Sequence, residues 1–162
     1  MALGIVAAAR GQTTMATEYL QRSLAPVQRS GYQRILVLSS VHLGRLAIDR
    51  GALAEAQAHF GEALAAATRD SALPYVHLAA VLIGLGLVAL ARGEHAAAAG
   101  YFQHALQQAP RCAAWHVPEA RLGLARVHLA EGQLDRAYDI LRQVANNPVA
   151  AAATRAAARQ LL

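Results

Sequence analysis

The sequence contains no lysine; all 15 of its basic residues are arginine. It has a single cysteine, Cys112, two phenylalanines, one tryptophan and ten carboxylates in 162 residues. One cysteine excludes an intrachain disulfide and fits a reducing compartment. The formal charge of +5 would attract nucleic acid or acidic partners. The arginines are scattered, however (Arg10, Arg22, Arg29, Arg34, Arg45, Arg50 and onward), and no basic run marks a nucleic-acid patch. The N-terminus reaches its first charge at Arg10 and lacks the positive start and cleavage site of a secretory signal. The expected location is therefore the cytoplasm.

Long uninterrupted apolar runs are also missing. Residues 71–91 carry no formal charge, but Pro74 and His77 interrupt the first half and Gly84 and Gly86 dilute the second. This stretch is read as a helix of a soluble protein, not as a membrane span.

Chemistry-bearing clusters are sparse. Cys112 and His116 are the closest approach to a ligand pair, and His95 and His104 flank another segment. A structural zinc site needs four converging ligands, so no metal is expected. Ser39, Ser40 and His42 are neighbours, but the sequence pattern places no carboxylate beside them. Gly84 and Gly86 fall inside a helix, not in a phosphate-cradling loop between a strand and a helix. No catalytic residue, no cofactor and no enzymatic activity are expected.

What is abundant is alanine, leucine and repetition. Hydrophobic residues make up 56% of the chain, ample for a core, and this composition argues against disorder. Leu3-Gly4, Leu43-Gly44, Leu85-Gly86 and Leu124-Ala125 each precede a second glycine at Gly11, Gly51, Gly93 and Gly132. The intervals between these glycines are 40, 42 and 39 residues. Five residues past each stands alanine (Ala16, Ala56, Ala98, Ala137), and nine past stands Leu20, Phe60, Phe102 or Leu141. Twelve past is Ser23, Ala63, Ala105 or Val144, and Pro26, Pro110 and Pro148 close three of the units.

Physically this is a helical hairpin, repeated. The turn glycine breaks the helix where positive φ is useful. The segment after it carries apolar residues at helical spacing. The mid-helix Gly44 and Gly86 cost about 1 kcal/mol each against alanine, which points to a helix–helix approach too close for a side chain.

The pattern resembles the tetratricopeptide repeat: Leu43, Gly44, Gly51, Ala56, Phe60 and Ala63 in one unit, and Leu85, Gly86, Gly93, Ala98, Phe102, Ala105 and Pro110 in the next. It departs at the family's early tryptophan position (Ser40, Leu82, Arg121) and tyrosine position (Ala47, Ala89, His128). The long period, about 40 residues, is similar to the helical-repeat arms of bacterial maltose-regulator-like transcription activators and of signalling ATPases. The resemblance implies an all-α, right-handed α-solenoid of about 3.5–4 hairpins plus a C-terminal capping helix. The expected units are residues 1–31, 32–72, 73–113 and 114–147, with a capping helix over 148–162 that starts behind the N-cap Asn147.

The resemblance also implies a protein-binding scaffold whose first helices line a concave groove. The groove positions are Leu38, Val41, Arg45 and Ile48; Ala80, Ile83, Leu87 and Leu90; and Glu119, Leu122, Arg126 and Leu129. The expected partner is a helix or peptide segment of another protein. The alternatives are a regulatory arm of a larger bacterial transcription regulator or signalling ATPase and, against the scatter of the arginines, a nucleic-acid binder. The short first helix is expected to leave Ile35, Leu36, Leu38 and Val41 partly uncovered, with self-association through this N-terminal end or a missing upstream segment that restores a monomer.

Overall fold

The structure, a computed structural model, describes residues 1–30, 33–69, 75–108 and 116–162. Among these there are nine helices and no strand. They are α1 (Ala2–Ala9), α2 (Thr13–Ser30), α3 (Gln33–Asp49), α4 (Leu53–Arg69), α5 (Tyr75–Ala91), α6 (His95–Gln107), α7 (His116–Ala130), α8 (Leu134–Ala145) and α9 (Ala152–Gln160). The architecture is the all-α helical repeat, and successive helices pack on their neighbours from α1 to α4 and from α5 to α9. The chain falls into two compact units, Met1–Leu73 and Pro74–Leu162.

Gly11, Gly51, Gly93 and Gly132 all take positive φ, between 71° and 76°. Around each, the same two hydrogen bonds end the helix. In the third hairpin the Gly93 N–H donates to the Leu90 carbonyl at 3.0 Å and the Glu94 N–H to the Ala89 carbonyl at 2.9 Å. This is the Schellman pattern, which satisfies the last carbonyls and turns the chain sharply into the next helix. The four like turns make the hairpins α1–α2, α3–α4, α5–α6 and α7–α8.

In the first unit α1, α2 and α3 share a core of Ala7, Ala16, Leu20, Leu43 and Leu46. The α3–α4 hairpin closes on Phe60, which lies so near Gly44 that a Cβ there would be 2.7 Å from Cζ. In the second unit the core of α5, α6 and α7 surrounds Phe102 with Leu82, Ile83, Ala98, Ala105 and Val127. A further cluster joins α7, α8 and α9 through Leu122, Ala125, Leu141, Val144 and Ala158. Burying a phenylalanine completely, as at Phe60 and Phe102, contributes about 3 kcal/mol. The two rings are the largest fully buried side chains of the described structure.

Three expectations are corrected. Leu36 and Val41 are buried, not uncovered, while Ile35 and Leu38 are half-buried. The helix before them, α2, continues to Ser30 and packs against α3. The last helix begins at Ala152, not at Pro148. Asn147 does cap, but it caps a turn: its Oδ1 accepts from the Val149 N–H at 2.9 Å, an Asx turn that competes with helix initiation. Ser40, finally, does have a carboxylate beside it, that of Glu62 on α4.

Candidate partner-binding surface

The expected groove residues sort by height on their helices. Val41, Ile83 and Leu122, each ten residues before its turn glycine, are buried in all three first helices. Ile83 belongs to the Phe102 core and Leu122 to the core shared with α9. The other expected positions are half-buried in every case. They are Leu38, Ala80 and Glu119; Arg45, Leu87 and Arg126; and Ile48, Leu90 and Leu129. Leu87 and Leu90 rest one side against the Phe102 core, and Leu129 rests against the Leu122 cluster. These positions share one face of each helix, so the difference is one of height along it: the row at Val41, Ile83 and Leu122 is buried, and the rows one and two turns away are half in solvent.

The electrostatics of these rows are modest. On α3, His42 stands three residues before Arg45 and is half-buried. Burial, and then the Arg45 guanidinium, hold its pKa below the ordinary 6.5, because both disfavour the imidazolium. On α7, Glu119 Oε2 lies 3.7 Å from His116 Nδ1, one turn earlier. At the far end of that helix Glu131 Oε2 lies 4.0 Å from His128 Nδ1. Among the described residues, no group of three His, Cys, Asp or Glu side chains could hold a metal. Cys112 lies outside the described residues, His95 is half-buried and His104 is exposed.

The helix interfaces carry polar pairs that the sequence pattern did not reveal. Ser39 is fully buried, and its Oγ is 2.9 Å from Ser23 Oγ on α2. Ser40 Oγ, also fully buried, donates to Glu62 Oε2 at 3.2 Å. The fourth hairpin repeats the arrangement: Arg121 donates to Gln143 Oε1 at 3.4 Å. Ser40 and Arg121 stand eleven residues before their turn glycines, and Glu62 and Gln143 eleven after. That symmetric spacing was the available signal. Ser40 and Glu62 do not make a nucleophile–base pair with His42, since two residues along a helix is more than half a turn and points the imidazole elsewhere.

A polar cleft of about 420 Å³ opens on the first unit, lined by Thr13, Thr14, Thr17, Glu18, Gln21 and Arg50. Arg50 is held there by Glu55 at 2.9 Å and reaches Thr17 Oγ1 at 3.4 Å. Glu18 is paired with Arg22 at 2.7 Å. Among the described residues, no helix is long and apolar enough to cross a membrane.

Residues 89–161 match the family model of the tetratricopeptide repeat. The matched stretch runs from the end of α5 through α9 and supports a tetratricopeptide repeat in this part of the chain. Repeats of that family are in general non-catalytic scaffolds that bind other proteins. No curated protein matches the chain.

Proposed function

We propose that the chain is a protein-interaction scaffold that takes an apolar helix or extended peptide segment on the outward, half-buried faces of its first helices, in the second unit on α5 and α7. One observation carries the reading. The rows at Leu38, Ala80 and Glu119, at Arg45, Leu87 and Arg126, and at Ile48, Leu90 and Leu129 have the same half-buried standing in three successive hairpins. Most of these side chains are apolar, and a leucine held half in solvent at an ordered position is a ready wall for an anchor pocket. Arg45 and Arg126 add cationic groups suited to an acidic flank on the partner.

Site-specific crosslinking tests this. A photoreactive residue is placed at Leu87 or at Leu129, with exposed Ala97 on α6 as the control face. The reading predicts one dominant adduct from Leu87 and Leu129 in an extract of the native host, none from Ala97, and loss of the adduct in Leu90→Asp. Equal labelling from Ala97 would place the binding surface on the second helices instead.

A further inference from the structure

We infer that copies of this chain associate with one another, α1 of one copy docking on the first two turns of α8 of the next. Large apolar side chains stand exposed on these two elements: Leu3 (67% exposed) and Val6 (48%) on α1, and Leu134 (51%) and Tyr138 (37%) on α8.

The repeat says what each of them is built to meet. Leu3 and Val6 stand at the same distances before Gly11 as Leu43 and Leu46 before Gly51. Leu43 and Leu46 are buried, and they are buried in the core that α3 shares with the preceding α2. Val127, placed before Gly132 as Val6 is before Gly11, is likewise buried in the core that α7 shares with the preceding α6. Leu3 and Val6 therefore present the face that elsewhere in this chain lies on the second helix of the hairpin before it.

The opposite half of that interface is open on α8. Tyr138 stands six residues past Gly132, as Thr17 stands six past Gly11. Thr17 is the residue that Arg50, in the turn just past α3, reaches across to meet. α9 covers only the last turns of α8, at Leu141, Val144 and Ala145. Counted from the turn glycines, residues 154–160 of α9 correspond to residues 33–39, the first half of α3. Residues 2–9 of α1 correspond to residues 42–49, the second half of α3. With α1 of another copy docked on α8 beside α9, the two short helices together cover what α3 covers alone.

Charge agrees with this placement. Arg10 corresponds to Arg50, and Asp135 and Asp139 correspond to Thr14 and Glu18, which line the cleft holding Arg50. In the docked pair Arg10 faces two carboxylates on α8. The contact joins two different surfaces, so it leaves one of each free on every pair and can propagate.

Sedimentation velocity over a wide concentration range reads the outcome, with far-UV circular dichroism confirming that each variant keeps its helix content. The parent chain is expected to rise in weight-average mass beyond twice the monomer. Val6→Glu and Tyr138→Glu, both at exposed sites, should each stay monomeric. An equimolar mixture of the two should form dimers and nothing larger, because only one intact α1 and one intact α8 remain to pair. A parent that stays monomeric at high concentration overturns the inference. So does a Tyr138→Glu chain that still dimerises, which would mean α1 pairs with α1, or a mixture that stays monomeric.

Discussion

The backbone of Gly86 lies against the ring of Phe102: a Cβ at Gly86 would sit 2.7 Å from Cε1 and 2.9 Å from Cδ1 and Cζ. A Cβ at Gly123 would lie 2.4 Å from the same ring. Two first helices, α5 and α7, thus press bare backbone onto one side chain of α6, and the ring has little room to yield. Alanine gains about 1 kcal/mol over glycine in a helix, but overpacking a tight core costs about 1–3 kcal/mol. Gly86→Ala is expected to lower stability by about 1 kcal/mol net, and Gly86→Leu by more. In the fourth hairpin the corresponding residues are Ala125 and Leu141, both fully buried. Gly86→Ala should therefore be better tolerated on a Phe102→Leu background, with a coupling of about 1 kcal/mol in a urea-denaturation double-mutant cycle. Additive effects would show that the ring moves aside.

The opposite sign is expected at Gly61 and Gly100. Both sit inside helices, are exposed, and have no atom within 4 Å of where a Cβ would stand. Gly61→Ala and Gly100→Ala should each stabilise by about 0.5–1 kcal/mol. Gly93→Ala has equal space but a φ of +76°, and should destabilise by about 1 kcal/mol because an L side chain is strained there. Thermal midpoints of the three variants separate helix propensity from backbone conformation.

Ser40→Ala should cost about 1–2 kcal/mol, since it removes a buried donor to a carboxylate. Glu62→Leu should cost less in the Ser40→Ala background than in the parent, because the hydroxyl left without its acceptor is then gone. Equal costs in both backgrounds would mean that the contact contributes nothing.

Acid should weaken the fold through His42. Its folded pKa lies below 6.5, so the unfolded chain binds a proton there that the folded chain refuses. Stability then rises with pH across the window between the folded value and 6.5. The contribution is fully present above that window, is lost as pH falls through it, and levels off below the folded value. Urea midpoints at about pH 7.5 and about pH 5 should differ more in the parent than in His42→Gln. Parallel losses would assign the acid sensitivity to other groups.

The hairpins, their turns and their order were legible in the sequence, because each depends on short-range chemistry. A glycine at positive φ ends a helix wherever it stands, and alanine, a large apolar residue and a small one at fixed distances behind it define the face that packs. Gly44 and Gly86 were readable as close approaches because both stand seven residues before a turn glycine, at equivalent places in successive repeats. Which of the groove positions are buried was not readable. Leu38, Val41 and Ile48 are equally apolar and share one helix face, and only how far the neighbouring helices cover that face buries Val41 and leaves the others half in solvent. The pairing of Ser40 with Glu62 depends on how far two helices slide past each other across a turn. The exposure of Leu3 and Val6 has no local cause at all. The same kinds of residue at Leu43 and Leu46 are buried because a preceding helix lies on them. Burial is a property of neighbours, and only the tertiary structure says which neighbours are there.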